Sequence, residues 1–366
     1  MMKKQVIDSG YLKEQFAKGL KAVQGLLRQG IPEAEPAGGL LGLDIGTDSV
    51  KIARLDTDKQ PFVLLGYAVE KIDQKNVRDT VSRAIKKSGA SQEEVCVLSL
   101  SGQGVVSRYV ELPLMSKAEL ESSMKFEIEK YVPFPLAEVS TDYAVAGEMK
   151  DKAKTSILIA AAKNDLVGRK AALAQELSLK VKALDLDALA LANFYTEIVG
   201  KQSLPACYAV INIGRSNSNM NILVEGRPFL SRDIFIGGED LTKKISEVLE
   251  IDMTEAEALK FTPGLKEEAV QSAMEPVLGN LASEIRVSLD YFESRGNRSV
   301  DKVFMTGGTS RLRGLREYLE HALAVDVEKM DFTDRLKLAA SIDAEAFKAE
   351  ADLLAVSLGL ALRTEK

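Results

Sequence analysis

The chain has 366 residues, of which 46% are hydrophobic and 28% charged, and its formal net charge at pH 7 is −6. This length exceeds what one hydrophobic core usually serves, so we expect at least two lobes. The acidic balance argues against nucleic acid as the main ligand. The sequence has neither an apolar run long enough to cross a membrane nor a signal-peptide core.

The few cysteine and histidine residues limit the kinds of metal site, disulfide and catalysis that the chain can support. Cys96 and Cys207 lie far apart inside apolar runs, and His321 is the single histidine. This pattern argues against a disulfide framework, a multi-His metal site and His-based catalysis. We therefore expect buried thiols in a protein of the reducing cytoplasm.

Residues 1–38 are predicted to form a basic amphipathic helix and a linker, IPEAEPAGG. The apolar residues at helical spacing are Leu12, Phe16, Leu20, Val23 and Leu27. Lys and Arg occupy the other faces, which is typical of a weak membrane-surface contact or a partner helix. A helix packed on its own domain is the alternative.

The stretch LLGLDIGTDSVKIARL predicts two strands joined by a small polar turn. Its polar and turn-forming residues are Asp44, Gly46, Thr47, Ser49 and Lys51. The backbone N–H groups of such a turn, with the hydroxyls and the ammonium, can cradle an anion. An ordinary turn between two strands is the simpler alternative.

Segment 95–180 interrupts this pattern and predicts a small α+β insertion. Two strands are followed by SKAELESSMKFEIEKYV, in which Ser116 and Glu119 form the capping box that marks a helix N-terminus. Pro133 and Pro135 end this helix. TDYAVAG and TSILIAAAK then predict strands, and NDLVGRKAALAQELSL a further helix.

The stretch YAVINIGRSNSNMNILVEG repeats the pattern of the first turn. Asn212 stands where the first copy has its acid, and Gly214, Ser216 and Ser218 form the turn. Each copy continues with a third strand and a helix. We therefore expect two similar units that face each other across a cleft, where ligands usually bind.

A third glycine cluster lies in KVFMTGGTSRLRGLREYL. A buried strand is predicted to end at Thr306, followed by Gly307 and Gly308, with a helix beginning near Leu312. Such a strand end is a usual ligand position in an α/β lobe. A tight strand-to-helix turn is the alternative.

Taken in order, these stretches resemble the nucleotide-binding motifs of the actin, Hsp70 and sugar-kinase superfamily. LGLDIGTDSVK is similar to its first phosphate loop, INIGRSNSNMNIL to its second, and FMTGGTSRLRGL to its adenosine motif. LDLDALALANF and DLLAVSLGLALR resemble the two helices that connect the lobes. The resemblance implies an α/β fold with two actin-like, RNase H-like lobes around a nucleotide cleft.

Within the superfamily, the insertion VSRYVELPLMSKAELESSMKFEIEKYVPFPLAEVSTDYAV is similar to that of the PilM family of type IV pilus assembly proteins, itself related to FtsA. The resemblance implies a peripheral protein on the cytoplasmic face of the inner membrane, with other pilus platform proteins as partners and self-assembly into rings or filaments as a further mode. It also implies a groove, formed by the insertion and the first lobe, for the N-terminal peptide of a PilN-type membrane protein.

The insertion offers apolar material for that groove, namely Leu120, Met124, Ile128, Tyr131 and Phe134. The alternative is that these residues form the core of the insertion. The implied organisation assigns the first lobe to 39–94, 181–200 and part of 345–366, the insertion to 95–180 and the second lobe to 201–366.

The superfamily resemblance implies ATP or ADP with Mg²⁺ between the lobes. Asp44 would hold Mg²⁺ through water, while the two turns would grip the phosphates and Lys51 would neutralise part of their charge. The residues expected along the ribose and base are Gly237, Gly238, Glu257, Lys260, Gly307, Gly308 and Ser310. For Glu257 and Lys260, an ordinary helix-surface charge pair is the alternative.

Asn212 departs from the superfamily, whose hydrolases usually carry a second Asp there. An amide cannot supply the charge that helps to hold a metal or to orient water. We therefore expect a protein that binds ATP as a structural or switching ligand and hydrolyses it weakly or not at all. An FtsA-like division protein is one alternative. A small-molecule kinase with Asp185 or Asp187 as base is another.

Overall fold

The computed structural model describes residues 40–363, apart from 92–93, 150–153, 201–202 and 297. The helix predicted for 1–38 lies outside the described residues. Within the part that the structure describes, no helix is both long and apolar enough to span a bilayer. Both cysteines are buried free thiols, as predicted.

The first half of the described chain contains a strand-rich unit followed by an inserted one. Its elements are β1 (Leu41–Ile45), β2 (Ser49–Asp56), β3 (Val63–Lys71), α1 (Val77–Lys87), β4 (Val95–Leu100), β5 (Val105–Pro113), α2 (Lys117–Tyr131), β6 (Val139–Met149), β7 (Lys154–Lys163), α3 (Asn164–Glu176), β8 (Lys180–Leu186) and α4 (Asp187–Phe194). The predicted order of strand, turn, strand, strand and helix is present in β1 to α1.

The second half repeats that order in β9 to α5 and then adds helices and short strands. Its elements are β9 (Cys207–Ile213), β10 (Ser218–Val224), β11 (Arg227–Ile234), α5 (Gly238–Leu249), α6 (Met253–Phe261), α7 (Glu267–Gly296), β12 (Lys302–Thr306), α8 (Leu315–Leu323), β13 (Asp326–Lys329), β14 (Lys337–Leu338), α9 (Ala344–Glu350) and α10 (Ala355–Ala361). The α-helix expected from Leu312 begins at Leu315, after a 3₁₀ turn over Gly308–Arg311.

Three sheets organise the described residues. A six-stranded sheet has the order β14-β3-β2-β1-β4-β8, a five-stranded sheet has the order β11-β10-β9-β12-β13, and the insertion has the order β5-β7-β6. In both lobes the first two strands are antiparallel and the strand on the other side of the first is parallel to it. The two turns therefore project from equivalent places in two similar sheets.

The insertion buries one face of α2 on its three-stranded sheet. Leu120, Met124 and Ile128 are buried in one cluster with Ile157 and Ile159 of β7. The capping box is formed as predicted, because the Ser116 N–H donates to the Glu119 carboxylate at 2.8 Å and the Ser116 hydroxyl accepts from the Glu119 N–H. The three helix residues are thus core residues of the insertion and do not line a groove.

The insertion is smaller than the predicted 95–180. β4 pairs in parallel with β1 and with β8, so it is an interior strand of the six-stranded sheet. All six residues of β4 are buried, as expected for a strand covered on both faces. A uniformly apolar run does not reveal which sheet it joins, and this explains the misplaced boundary. Likewise, β14 returns to the first lobe by pairing with β3, before residue 345.

Candidate functional site

The first turn, between β1 and β2, holds a buried carboxylate. Asp44 is 5% exposed and lies opposite Lys51 in the strand register, with 3.2 Å between Lys51 Nζ and Asp44 Oδ2. The Ser99 hydroxyl donates to Asp44 Oδ1 at 3.0 Å. The Gly46 N–H donates to the Ser49 carbonyl at 3.1 Å and closes the turn. Burial next to a cation and a hydroxyl keeps this carboxylate in one position.

A second buried carboxylate lies near Asp44. Asp187 begins α4 and is 8% exposed, and its Oδ1 has no hydrogen-bond partner among the described residues. Burial, together with the charge of Asp44, raises the pKa of Asp187 to about 8. A buried carboxylate with one oxygen left without a hydrogen bond and a raised pKa is typical of functional sites.

Lys170 completes this buried cluster from α3. Its ammonium donates to the Ile45 carbonyl at 3.1 Å, directly behind the first turn. Burial lowers the pKa of Lys170, while the charges of Asp187 and Asp44 oppose that shift. Sequence reasoning missed Lys170 because it lies on a helix far from the turn in sequence, with no local motif around it.

The second turn, between β9 and β10, is closed in the same way but carries no acid. The Gly214 N–H donates to the Asn217 carbonyl at 3.0 Å. The Ser218 hydroxyl is buried and donates to the Ile236 carbonyl at 2.8 Å, so it serves the packing of its own lobe. Asn212 lies opposite Thr306 of β12 in the parallel register.

The two turns contact each other across the lobes. Thr47 Oγ1 and Ser216 Oγ are 3.2 Å apart. The Arg215 guanidinium donates to Asp48 of the first turn at 2.9 Å and to Glu239 of α5 at 3.1 Å. Sequence reasoning assigned no role to Arg215, Asp48 or Glu239, because no local pattern shows that the three residues meet.

The third glycine cluster packs against the second turn. Thr309 Oγ1 donates to the Gly214 carbonyl at 2.8 Å, and Ser310 Oγ donates to the Gly307 carbonyl at 2.7 Å. Gly307 has a φ of +91°, and a Cβ there would lie 2.4 Å from Asn212 Oδ1. A Cβ on Gly308 would instead meet no atom nearer than Leu353 Cδ2, at 3.7 Å. Packing therefore does not require a glycine at position 308, whereas Gly307 is required by the fold itself.

Gly237 and Gly238, at the start of α5, are also required by packing. A Cβ on Gly237 would lie 2.3 Å from the Arg215 carbonyl oxygen, and one on Gly238 would lie 2.4 Å from Thr309 Oγ1. Their missing side chains thus let the second turn, α5 and the third cluster converge. A contact of either glycine with ribose stays a prediction.

Glu257 and Lys260 form a partly buried pair at the same place. The Lys260 ammonium is buried and donates to the Gly238 carbonyl at 2.9 Å, to Thr242 Oγ1 at 2.8 Å and to Glu257 Oε2 at 2.8 Å. Burial lowers its pKa, although the Glu257 charge opposes this. The surface-pair interpretation is therefore wrong, because Lys260 joins α6 to the first turn of α5. Its contact with a base stays a prediction.

This arrangement fits a magnesium nucleotide. Asp44 offers hard carboxylate oxygens that are already oriented by Ser99, and no group of three or more Asp, Glu, His or Cys residues that could hold a metal occurs among the described residues. A single carboxylate suits Mg²⁺, which keeps several waters and takes phosphate oxygens as ligands. The two turns supply hydroxyls and N–H groups, and the Gly308 backbone carries no side chain that would keep a nucleoside away.

A separate groove lies where the insertion meets both lobes. It encloses about 690 Å³, and its walls come from β5, β6, β7, β8, α4, the β10–β11 turn and the end of α10. The residues that line it include Leu40, Tyr109, Ala144, Leu158, Lys182, Asp185, Asn193, Glu197, Arg227 and Arg363. Asp185 pairs with Arg363 at 2.7 Å, which places this candidate base in the groove.

Comparisons with known proteins agree with this architecture. The family model "Type IV pilus assembly protein PilM" matches residues 42–365. A solved PilM-PilN type IV pilus biogenesis complex is 25% identical, with a TM-score of 0.78 over 90% of this chain and 99% of the other. The ethanolamine utilization protein EutJ from Carboxydothermus hydrogenoformans is 14% identical, with a TM-score of 0.53 over 95% of this chain and 98% of the other. The predicted fold class is confirmed.

Proposed function

The chain belongs to the PilM family of type IV pilus assembly proteins. On that premise we propose that it binds a magnesium nucleotide between its lobes. We also propose that its groove binds the N-terminal peptide of a PilN-type membrane protein. One observation carries the nucleotide half of this proposal. Three chain segments that are far apart in sequence converge at the first, second and third glycine clusters, joined by the contacts of Thr47 with Ser216 and of Thr309 with Gly214.

Each part of the cleft has a distinct task in this proposal. Asp44 holds Mg²⁺ through water, and the bound metal neutralises phosphate charge. The Thr47 and Ser216 hydroxyls and the exposed N–H groups of both turns donate to phosphate oxygens. Lys51, held 3.2 Å from Asp44, adds a positive charge on the first-lobe side. The nucleoside lies along Gly308, with Glu257 at its border.

We expect the nucleotide to act as a structural or switching ligand with weak or no hydrolysis. Asn212 gives the second turn an amide where a carboxylate would help to hold the metal and orient water. The buried Asp187 favours a second candidate, phosphoryl transfer, because its Oδ1 is unpaired and its pKa is raised to about 8. A general base with such a pKa is matched to neutral pH.

The groove supports the peptide half of the proposal. It is long enough to be walled by the insertion and both lobes, and it combines apolar surface from Tyr109 and Leu158 with charged Lys182 and Glu197. An extended peptide that places anchors in such a groove gains both main-chain pairing and buried apolar contacts. The solved relative with a TM-score of 0.78 is described as a PilM-PilN complex.

This binding mode brings the protein to the cytoplasmic face of the inner membrane as a peripheral component. We expect residues 1–38 to add a weaker contact, since each basic residue near an anionic surface contributes about 1 kcal/mol. Other platform proteins and further copies of the chain are the remaining expected partners.

The test of the groove is recruitment to membranes that contain a PilN-type protein. Leu158→Arg puts a charge inside the groove and should abolish recruitment, as should an excess of the soluble N-terminal peptide. Phe126→Arg is the matched control, because Phe126 is 70% exposed on α2 and does not line the groove. If Leu158→Arg and the peptide leave recruitment intact while deletion of 1–38 abolishes it, the groove is not the docking site.

A further inference from the structure

Arg215 is the most prominent charged side chain between the two turns, and the function proposed above does not use it. Its guanidinium touches the first lobe through Asp48 at 2.9 Å and its own lobe through Glu239 at 3.1 Å. It therefore sits at the place where the phosphates of a nucleotide held by both turns would lie.

The backbones on both sides of this contact are fixed. The Arg215 carbonyl accepts the Glu239 N–H at 2.8 Å, and the Asp48 carbonyl accepts the Ile72 N–H at 2.8 Å. Gly237 lies so close to the Arg215 carbonyl that a Cβ would not fit there. A change of partner at this contact therefore requires movement of side chains alone, with no rearrangement of either turn.

The side chains themselves are free to exchange partners. The Arg215 side chain is 37% exposed and that of Asp48 is 46% exposed. An exposed ion pair of this kind contributes about 0–1 kcal/mol, because water and salt compete for both charges. A guanidinium binds phosphate in a bidentate and charge-assisted manner, which is stronger than its pairing with an exposed carboxylate.

Resting on the proposed nucleotide function, we infer that Arg215 recognises the nucleotide phosphates and exchanges Asp48 for them on binding. Glu239 remains on the guanidinium and keeps it aimed at the cleft. Without ligand, Arg215 holds the lobes together directly through Asp48. With ligand, the phosphates become the bridge, so Asp48 competes with the nucleotide for one cation.

This inference predicts opposite effects at two residues that form one ion pair. Arg215→Gln should lower the affinity for Mg-ATP about tenfold, the loss expected for one charge-assisted bond. Asp48→Asn should raise it about threefold, since it frees the guanidinium and removes a negative charge near the phosphates. Arg215→Lys keeps the charge and should recover part of the loss. Titration calorimetry with Mg-ATP and with adenosine measures all three.

Adenosine and a distant arginine serve as controls. Arg215→Gln should not weaken adenosine binding, because adenosine carries no phosphate. Arg316→Gln removes a half-exposed, ion-paired arginine on α8 and should leave both affinities unchanged. If Arg215→Gln and Asp48→Asn shift Mg-ATP affinity in the same direction, or if Arg215→Gln has no effect, Arg215 is a clasp between the lobes without a ligand role. Failure of the wild type to bind Mg-ATP would instead overturn the proposed function together with this inference.

Discussion

The two turns at the centre of the molecule share a backbone and differ in charge. Both close through a glycine N–H that donates to a carbonyl three residues later, from Gly46 to Ser49 and from Gly214 to Asn217. The first turn contains the buried Asp44, with Asp187 and Lys170 close behind it. The second turn has the neutral Asn212 at the matching place and Arg215, whose guanidinium reaches Asp48 of the first turn.

The comparison shows that two copies of an internal repeat can keep the same backbone turn while their side chains differ in charge. Closure of the turn needs backbone hydrogen bonds that many side chains permit, whereas a metal needs a carboxylate and a phosphate needs donors. The first lobe thus places a buried carboxylate at this point, beside Lys51 and Lys170. The second lobe places an amide and an arginine there, with Glu239 beside the arginine.

The largest effect on ATP affinity is expected from a substitution in the first turn, which carries the acid, and not from one in the second turn. Asp44→Asn should remove the Mg²⁺-dependent part of ATP affinity, because the amide has no charge for the metal. Asn212→Ala should change that affinity little, since the second turn supplies N–H donors and hydroxyls from other residues. Titration of each variant with ATP in the presence of Mg²⁺ and in its absence measures the difference. Equal losses in the two variants would mean that both turns hold the metal.

The second prediction concerns the buried acid behind the first turn. Asp187 binds its proton more tightly in the folded protein, with a pKa of about 8, than in the unfolded chain, where an ordinary Asp has a pKa of about 4. Between these two values the folded state holds the extra proton, so this group makes the free energy of unfolding fall as pH rises.

In Asp187→Asn the free energy of unfolding should therefore fall less steeply between about pH 5 and pH 8 than it does in the wild type. Thermal unfolding of both proteins across this range measures it. Glu317→Gln is a suitable control, because Glu317 is an exposed carboxylate whose pKa is lowered by a hydrogen bond from its own backbone and by Arg316. Parallel stability curves for the wild type and Asp187→Asn would contradict the raised pKa.

The repeated units could be predicted because their signals are local. Alternating burial in β3, the glycine turns and the Ser116–Glu119 capping box all lie within a few neighbouring residues. The contacts that distinguish the two turns are not local. Lys170 reaches Ile45 from a different helix, and β14 joins the first sheet from the far end of the chain.

The sequence located the glycines of the candidate site but could not show why each position needs a glycine. Gly237 and Gly307 are predicted to border a ligand, and that stays a prediction. Each is also needed by the fold, because another part of the same chain lies within 2.4 Å of where its Cβ would be. Sequence alone cannot distinguish a glycine that accommodates a ligand from one that accommodates its own fold, since the steric demand is the same. At Gly308 a Cβ would make only an ordinary contact with Leu353 Cδ2, so packing alone does not explain the glycine there.

The smallest effect is expected for hydrolysis. Asn212→Asp makes the second turn resemble the first, and it should raise the slow release of phosphate severalfold if the missing carboxylate limits turnover. Asn217→Asp makes the same substitution in the same turn, away from the strand end, and should not raise it. Phosphate release under single-turnover conditions measures both. Robust turnover by the wild type would contradict the switching role and favour phosphoryl transfer with Asp187 as base.

The most direct test of the account is whether Mg-ATP stabilises the wild-type protein and not Gly308→Arg. A ligand at about 100 times its Kd adds about 2.7 kcal/mol to the free energy of unfolding. The Cβ of an arginine at position 308 would lie 3.7 Å from Leu353 Cδ2, an ordinary contact, so the substitution should leave the packing intact while the long side chain blocks the ligand. We predict a thermal shift of several degrees in the wild type and none in Gly308→Arg, with equal unfolding temperatures for the two proteins without ligand. Absence of a shift in the wild type, or the same shift in both proteins, would contradict a nucleotide site between the two turns.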